Sequence, residues 1–254
     1  MSSPSPRPQT LTSEAMALLR LVSTATLTSQ LLKRGFRNTF VAGLIPLRPD
    51  LRMVGYAFTL RYVPTREDVG FYVDYDNSTN IQRLAVEAIG PSDVLVIDAR
   101  GDERAASFGH IIATRIMRRG ATGLVTDGGL RDSPRFHELE MPTYFRAPHA
   151  TTSSVLHYPA DMNVPIGCGG VLVMPGDVVV GDAEGVVILP AAVAEEVAHA
   201  AVEQEYMEEY ILERIRSGES IRGLYPLDER RRAQYEAWRR NRGRNGRPSD
   251  DGHP

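Results

Sequence analysis

The chain has 254 residues, of which 29 are basic and 32 acidic, and a formal net charge of −3 at pH 7. This near balance provides no global field to hold a nucleic-acid backbone or an anionic membrane surface, so neither is expected as a partner. A single cysteine, Cys168, excludes an internal disulfide, and no run of about 18 apolar residues predicts a membrane span, so we expect a cytoplasmic protein.

The two ends of the chain are rich in Ser, Pro, Gly and Arg. Composition predicts disorder for residues 1–10 and 240–254, because such segments bury too little apolar surface to offset the entropy lost on ordering. One domain is expected over residues 11–226. A charged tail, helical or disordered, is expected over residues 227–254.

The first hundred residues predict two lead-in helices and the start of a sheet. The helices are expected at 12–21, opened by Thr12-Ser13-Glu14, and at 29–34, ended by a glycine. Alternation over residues 53–63 predicts a half-buried strand, and the apolar run 94–98 predicts a strand buried on both faces. Residues 81–89 have helical spacing.

The middle of the chain predicts parallel strands and the second half predicts hairpins. Strand 94–98, helix 111–119 and strand 123–126 form a βαβ crossover, which implies parallel pairing. Further strands are expected at 143–146, 171–174, 178–180 and 185–189. A long amphipathic helix follows at 191–216. The short strands and tight turns favour a mixed α/β sandwich over a Rossmann fold.

Arg131 and Asp132 are the main candidates for chemistry. They follow a buried strand and the turn Asp127-Gly128-Gly129, and open α/β sheets bind ligands at the carboxyl ends of strands. Arg131 can bind a carboxylate with two hydrogen bonds, and Asp132 offers the oxygen ligand that Mg²⁺ prefers. The alternative is a surface ion pair that caps a helix at Pro134.

A second candidate element is the helix start at residues 109–112. Its free backbone N–H groups favour anions and suit the oxygens of a 2-oxo acid, although an ordinary helix N-terminus would look the same. His110 is a candidate proton carrier or a structural residue. His149 and His157 lack the spacing of a helical zinc site, so a zinc enzyme is not expected.

Four segments in this order, residues 108–114, 120–132, 175–177 and 182–190, resemble the family of regulator of ribonuclease activity A (RraA). That family includes the class II 4-hydroxy-4-methyl-2-oxoglutarate aldolases, and the resemblance spans about residues 25–225. It implies an α/β/β sandwich of the swivelling phosphohistidine-domain type, with N-terminal helices and a C-terminal helical extension. It also implies a homotrimer or a hexamer with active sites between subunits.

The resemblance also assigns roles to the site residues. Asp132 is similar to the direct ligand of Mg²⁺, Mn²⁺ or another divalent cation. Arg131 is similar to the residue that binds substrate and stabilises an enolate, and the amides of Gly109, His110, Ile111 and Ile112 correspond to the loop that holds the pyruvyl group. Arg135 stands where family aldolases commonly carry a carboxylate that would orient metal-bound water.

The hypothesis that follows is a divalent-metal-dependent lyase that acts on a 2-oxo acid. The reaction would be retro-aldol cleavage of a 4-hydroxy-2-oxo acid to pyruvate, or decarboxylation of oxaloacetate, through a metal-stabilised enolate. Lys33 is the only lysine and lies outside the motifs, so an imine mechanism has almost no candidate nucleophile. Two alternatives remain open: a non-catalytic regulator of an endoribonuclease, and a ligand-binding scaffold without turnover.

Overall fold

The computed structural model describes residues 10–70 and 78–245. The chain divides into two compact units, Met1–His199 and Ala200–Pro254. The helices are α1 (Ser13–Leu19), α2 (Thr24–Lys33), α3 (Glu67–Gly70), α4 (Ile81–Ala88), α5 (His110–Arg118), α6 (Ala191–Arg216) and α7 (Glu229–Asn245). Short 3₁₀ helices cover Ser133–Glu138 and Ser153–Val155.

The strands of the first unit form three sheets. They are β1 (Ile45–Pro46), β2 (Met53–Pro64), β3 (Asp93–Asp98), β4 (Ala106–Gly109), β5 (Gly123–Thr126), β6 (Gly129–Arg131), β7 (Thr143–Phe145), β8 (Ala147–Pro148), β9 (His157–Met162), β10 (Ile166–Cys168), β11 (Val171–Val173), β12 (Val178–Gly181) and β13 (Val186–Leu189). The large sheet has the order β1-β7-β5-β3-β2-β12-β13, with β9 also paired to β2. The small sheet has the order β4-β6-β8, and β10 pairs with β11.

The large sheet is covered on both faces, which gives three layers. On one face, side chains of β2, β3 and β5 pack against α4, α5 and the 3₁₀ helix Ser133–Glu138. On the other face, the same strands pack against the β10–β11 hairpin, where Cys168 is fully buried. The mixed α/β class expected from the sequence is therefore confirmed, with a helical layer, a sheet and a hairpin layer.

Strand β2 is buried on both faces, so the prediction of a half-buried strand is wrong. Two of its polar side chains are buried with hydrogen-bond partners: the Thr59 hydroxyl donates to the Val164 carbonyl at 2.6 Å, and the Tyr62 hydroxyl donates to the Ser107 carbonyl at 2.9 Å. Buried polar groups are tolerated when their hydrogen bonds are satisfied. The alternation of polar and apolar residues in this strand therefore does not show which side chains are exposed to solvent.

Helix α2 begins at Thr24, five residues before its predicted start. Ser23 caps the helix by accepting a hydrogen bond from the Thr26 amide at 3.1 Å. The Asp182 carboxylate accepts bonds from the amide and hydroxyl of Thr24, at 2.8 and 2.9 Å. The threonine-rich segment, which was expected to precede the helix, is therefore part of it. The Ser23 cap and the Asp182 carboxylate, which is distant in sequence, stabilise this first turn.

The predicted βαβ crossover is present but contains an additional strand. β3 and β5 are parallel neighbours, with Val94 opposite Gly123 and Ile97 opposite Thr126. Between β3 and α5 the chain forms β4, which belongs to the small sheet and pairs in parallel with β6. The strands of the small sheet are two to four residues long, which explains why periodicity did not predict them.

In the second unit, α7 packs on the C-terminal part of α6. Tyr210 lies edge-on to Trp238 with ring centroids 5.6 Å apart, and Arg242 pairs with Glu209 at 2.7 Å and Glu213 at 3.3 Å. The helix continues to Asn245, so the prediction of disorder is wrong for residues 240–245 because these contacts supply the missing stabilisation. Residues 1–9 and 246–254, also predicted to be disordered, lie outside the described residues.

Over residues 10–70 and 78–245, no single helix has both the length and the hydropathy to cross a membrane. Helices α1 and α2 meet that criterion only when joined, although they are bent by 115°. Buried core helices and N-terminal leader segments pass the same test, so this pair is weak evidence for a membrane span.

Candidate active site

The two halves of the sequence motif meet through the small sheet. β4 and β6 run in parallel, and Gly109 at the end of β4 lies opposite Arg131 at the end of β6. Helix α5 follows β4, and Asp132 follows β6. Because parallel strands end at the same sheet edge, the start of α5 and the Arg131-Asp132 pair lie side by side. Arg131 is therefore the last residue of a strand in the small sheet. The sequence analysis expected it in the turn region that follows β5.

Gly128 and Gly129 are required by close packing. A Cβ at Gly128 would lie 2.5 Å from the Ala99 Cβ, and one at Gly129 would lie 2.7 Å from the Ala105 carbonyl oxygen. Neither glycine has a positive φ angle. These two glycines therefore do not serve a left-handed turn, and instead let β6 approach the chain that enters β4.

Asp132 has a left-handed backbone with φ 58° and ψ 28°, which side chains other than Asn, Asp and Gly rarely adopt. It precedes the 3₁₀ helix Ser133–Glu138, yet its side chain makes no capping hydrogen bond. Its Oδ1 lies 3.7 Å from Nε of Arg131, and both side chains are about half exposed. Arg131 and Asp132 therefore form the exposed ion pair of the alternative interpretation, whereas the Asp132 side chain does not cap the helix that follows.

The start of α5 presents its backbone N–H groups beside this carboxylate. Gly109 is the N-cap residue, and no side chain caps the helix. A Cβ placed at Gly109 would lie 3.6 Å from Oδ2 of Asp132, an ordinary contact distance. The first N–H groups of a helix lack intrahelical partners and carry partial positive charge. The site therefore combines an uncapped helix start with an adjacent carboxylate and guanidinium.

One cavity of about 230 Å³ collects most of the predicted site residues. Gly109, Ile111, Ile112, Arg131 and Asp132 all line it. The side chain of Ile111 is 80% exposed, which is unusual for a large apolar residue at a polar cavity. The grouping expected from the sequence is thus found in space.

His110 is the one predicted residue that does not line the cavity. Its ring lies edge-on to Phe136 with centroids 5.8 Å apart, and its Nε2 is buried without a hydrogen-bond partner among the described residues. Its carbonyl accepts a bond from the Thr114 hydroxyl at 2.9 Å. The structure therefore places the His110 side chain against Phe136 and not around the cavity.

Sequence reasoning missed four polar residues that line the same cavity: Gln82, Arg83, Thr152 and Ser153. Gln82 and Arg83 lie in the first turn of α4, and the Gln82 amide donates to the Tyr62 hydroxyl at 2.5 Å. Thr152 and Ser153 lie at the start of a 3₁₀ helix. Polar residues at helix starts are common, so the sequence held no signal that could have singled them out.

Asp127 holds the loops beneath the site. Its buried carboxylate accepts backbone N–H bonds from Ala99 at 2.6 Å, Gly101 at 2.9 Å and Gly169 at 3.2 Å. Burial raises the pKa of Asp127, and the three hydrogen bonds oppose that shift. The carboxylate joins the ends of β3 and β5 to the β10–β11 hairpin, so its role is structural.

His157 supports the chain just before β4. Its Nε2 lies 3.3 Å from the Ala105 carbonyl, and its Nδ1 lies 3.2 Å from an Arg100 guanidinium nitrogen. Burial lowers the pKa of His157, so the ring is neutral, with Nε2 donating to Ala105 and Nδ1 accepting from Arg100. His157 thus positions the entry to the strand that carries Gly109.

The donor set fits a hydrated divalent cation better than a closed metal cage. Within the described part of the chain, no group of three or more His, Cys, Asp or Glu side chains is arranged to hold a metal. Mg²⁺ typically keeps several waters and uses one or two carboxylates together with oxygens of the substrate. Asp132, half exposed and without a capping bond, meets that requirement for one protein ligand.

Comparison with known proteins gives a consistent match. Residues 24–188 match the family model described as RraA-like: Aldolase/RraA. A protein of Halalkalibacterium halodurans named "Putative 4-hydroxy-4-methyl-2-oxoglutarate aldolase" is 36% identical over 121 residues, which are 48% of this chain and 57% of that protein. Protein DlpA of Legionella pneumophila is 26% identical over 176 residues, 69% of this chain and 28% of its own length.

A solved structure resembles most of this chain. RraAS2 of Streptomyces coelicolor, described as an unusual member of the RNase ES inhibitor RraA protein family, has a TM-score of 0.71 and 32% identity. The alignment covers 80% of this chain and 97% of that one. This chain spans little more than half the length of the Halalkalibacterium halodurans protein and about a quarter of the length of DlpA. The names of these two relatives therefore do not settle the activity of this chain.

Proposed function

This chain belongs to the RraA-like family, and from that premise we propose that it is a divalent-metal-dependent lyase acting on 2-oxo acids. The single observation that carries the proposal is the parallel pairing of β4 with β6, which brings the open end of α5 against Arg131 and Asp132 in one cavity. An open helix end, a guanidinium and a half-exposed carboxylate are the groups that a 2-oxo acid and its cation need.

The reaction requires stabilisation of negative charge on the fragment that becomes pyruvate. In retro-aldol cleavage the C3–C4 bond breaks, its electron pair enters an enolate, the 4-hydroxyl proton passes to water, and C3 then takes up a proton. Decarboxylation of oxaloacetate forms the same enolate with loss of CO₂. Arg131 and the N–H groups of Ile111 and Ile112 would bind the carboxylate and enolate oxygens, where preorganised donors contribute most, and the position of these residues around one cavity supports that role.

Asp132 would hold the cation through one carboxylate oxygen. When bound, Mg²⁺ or Mn²⁺ supplies Lewis acidity toward the 2-oxo group. Lys33, the only lysine, ends α2 and does not line the cavity, so an imine nucleophile has no candidate at this site.

We also propose that a second copy of the chain covers the cavity mouth, in a trimer or hexamer. The support is Ile111, a large apolar side chain left 80% exposed beside Arg131 and Asp132. A mass measured in solution that corresponds to one chain would contradict this assembly. The three-layer order of the fold supports the swivelling phosphohistidine-domain type proposed for it, which superposition on such domains would test.

The test compares pyruvate release by the protein and by two variants, with Mg²⁺ and a panel of 4-hydroxy-2-oxo acids and oxaloacetate. We expect Asp132→Asn and Arg131→Gln each to lower kcat/KM by at least about 100-fold, because each removes a group that stabilises developing charge. Neither change should unfold the protein, since both side chains are about half exposed.

Glu138→Gln is the matched control, because Glu138 lies on the 3₁₀ helix that follows Asp132, is 63% exposed and does not line the cavity. It should behave as the unmodified protein. The lyase proposal is contradicted if the unmodified protein releases no more pyruvate than Asp132→Asn does.

A second candidate function is regulation of an endoribonuclease by direct contact. The observation that favours it is the likeness to RraAS2, which is described within an RNase inhibitor family and matches this chain over 80% of its length. That activity would use a surface rather than the cavity. Asp132→Asn should therefore leave inhibition of an RNase E-type enzyme unchanged, whereas it should abolish pyruvate release.

A further inference from the structure

We propose that Gln82 is a specificity-determining residue of this site, and that its carboxamide oxygen accepts a hydrogen bond from the 4-hydroxyl group of a 4-hydroxy-2-oxo acid. The inference rests on the proposed function, because it assumes that Arg131 and Asp132 receive the 2-oxo acid end of the ligand. Neither the sequence motifs nor the comparisons assign a role to Gln82.

The nitrogen of the Gln82 carboxamide is anchored to the protein. Gln82 is the second residue of α4, and it is 4% exposed. Its Nε2 donates hydrogen bonds to the Tyr62 hydroxyl at 2.5 Å and to the Ser107 carbonyl at 3.2 Å. A carbonyl oxygen only accepts hydrogen bonds, so the contact with Ser107 requires the nitrogen rather than the oxygen of the carboxamide. The partners of the amide group therefore fix its orientation.

The oxygen of the same carboxamide has no partner among the residues that the structure describes. It is also not sealed from solvent, and Gln82 lines the cavity that holds Arg131 and Asp132. Because the carboxamide is planar, the anchored nitrogen turns the oxygen away from Ser107. An amide oxygen offers two lone pairs, and leaving it unpaired in a buried site costs free energy. Oε1 of Gln82 is therefore an acceptor that the cavity offers to a ligand.

The anchor places Gln82 beside β4, at a distance from the strand end that suits a small acid. Ser107 precedes Gly109 by two residues, which is about 7 Å along a strand that rises about 3.3 Å per residue. Gly109 lies opposite Arg131 at the strand ends. Two other residues of β4 line the cavity as well, so the cavity follows this strand. An acid bound by its 2-oxo end near Gly109 therefore extends its C4 toward Gln82.

A fixed acceptor discriminates between the two reactions proposed for the site. A 4-hydroxy-2-oxo acid carries an O–H donor on C4, whereas C4 of oxaloacetate belongs to an ionised carboxylate that cannot donate. A site that binds a hydroxyl group discriminates strongly against a ligand that lacks it, because its own polar atom is then left unpaired. Thr152 and Ser153 also line the cavity, but their hydroxyls both donate and accept, so they do not impose this selection.

Gln82 acts on binding rather than on the chemical step. An amide oxygen is too weak a base to take the 4-hydroxyl proton, which the proposed reaction passes to water. An interaction that is equally strong in the bound substrate and in the transition state lowers KM and leaves kcat nearly unchanged. Loss of the Gln82 oxygen should therefore raise KM for the hydroxylated acid.

The experiment uses two acids that differ only by the hydroxyl group on C4, 4-hydroxy-2-oxoglutarate and the unreactive 2-oxoglutarate. KM and kcat for pyruvate release are measured for the first acid, and the affinity of the full chain for the second is measured by titration calorimetry, both with Mg²⁺. Gln82→Met keeps the length of the side chain and removes the amide. We expect KM to rise by about 10-fold or more, kcat to change less than about threefold, and 2-oxoglutarate affinity to change less than about twofold.

Two controls accompany this variant. The Tyr62 hydroxyl also donates to the Ser107 carbonyl at 2.9 Å, so that carbonyl stays paired in Gln82→Met, and the melting temperature should stay close to that of the unmodified protein. Gln234→Met makes the same change at an exposed position of α7, and it should leave the measurements on both acids unchanged.

The outcomes separate this inference from the lyase proposal. If the protein releases no pyruvate, the lyase is rejected, and calorimetry then measures the affinity for both acids directly. Selectively weaker binding of the hydroxylated acid by Gln82→Met supports the role of Gln82 in that case too. Equal weakening of both acids, or no weakening of either, overturns this role even where pyruvate release is confirmed.

Three further results would overturn the inference. The first is a fall in kcat with an unchanged KM in Gln82→Met, which would indicate a part in the chemical step. The second is a rise in KM with Ser153→Ala and none with Gln82→Met, which would assign the hydroxyl group to Ser153. The third is an unmodified protein that binds neither acid.

Discussion

The large sheet and the small sheet differ in how far their strands are buried. β3, β5, β12 and β13 of the large sheet are almost entirely buried, with apolar layers on both faces. β4 and β6 of the small sheet are buried at first and open to solvent at their last residues, Gly109 and Arg131. The difference indicates that most of the buried core belongs to the large sheet, whereas the site proposed for the chemistry lies at the exposed strand ends of the small sheet.

The largest effect on stability is expected in the large sheet. Leu95 on β3 is fully buried in the core that joins the sheet to α4 and α5. Leu95→Ala should lower the free energy of unfolding by about 2–5 kcal/mol, because it leaves a cavity in a packed core. Chemical denaturation measures this change, and calorimetry on the folded protein should show 2-oxoglutarate affinity within about twofold of normal.

Leu172→Ala is the control for that experiment, since Leu172 is 65% exposed on β11 and its truncation should cost less than about 0.5 kcal/mol. A large loss of ligand affinity in folded Leu95→Ala would contradict the separation between the two sheets.

An intermediate effect is expected where the two sheets meet. A Cβ at Gly129 would lie 2.7 Å from the Ala105 carbonyl oxygen and 3.1 Å from the His149 Cβ. Gly129→Ala should cost about 1–3 kcal/mol of stability through overpacking. It should also weaken 2-oxoglutarate binding, because β6 must shift away from β4 and carries Arg131 with it. Denaturation and calorimetry on the same preparation measure both effects.

Gly167 offers the matched control, because nothing lies within 4 Å of a Cβ built there. Gly167→Ala should leave stability and binding close to normal. If Gly129→Ala weakens stability alone, the pairing of β4 with β6 does not set the geometry of the site.

The smallest effect is expected in the pH dependence of stability. Burial lowers the pKa of His157 from its ordinary value of about 6.5. Below a pH of about 6.5, His157 therefore binds a proton more readily in the unfolded chain than in the folded protein. The free energy of unfolding consequently falls as the pH decreases through this value. His157→Gln should remove up to about 1 kcal/mol per pH unit from that slope, as urea denaturation between pH 5 and 8 would show.

His199→Gln, at an exposed position on α6, is the comparison variant and should keep the slope of the unmodified protein. The assignment of a neutral, buried His157 would be refuted by identical slopes in the unmodified protein and in His157→Gln.

The sequence was most informative where one physical factor dominates. Apolar runs such as 94–98 and 123–126 gave strands and their parallel pairing, because burial on both faces leaves little other choice. The long helix at 191–216 was likewise predicted within its observed bounds. The alternation over residues 53–63 correctly predicted a strand but wrongly predicted that one face is exposed. Thr59 and Tyr62 are buried with hydrogen bonds that no local pattern reveals.

The candidate site was predicted in part. The grouping of Gly109, Ile111, Ile112, Arg131 and Asp132 was expected from the sequence and is found around one cavity. His110 was expected to be a proton carrier or a structural residue, and the structure favours the second, because its ring turns toward Phe136, a residue 26 positions away. Arg83 was missed because α4 comes to the cavity only after the large sheet has brought α4 and α5 to the same face.

The amino-acid sequence by itself determined the apolar strands, the bounds of α6 and the presence of an arginine and an aspartate beside a glycine-rich turn. These features depend on local periodicity, capping and composition, which a short stretch of chain contains completely. Tertiary structure alone decided that Gly109 lies opposite Arg131, that His110 faces away and that a second arginine shares the cavity. Those relations depend on the register between short strands and on packing between distant segments, and such long-range contacts leave no periodic trace in the sequence.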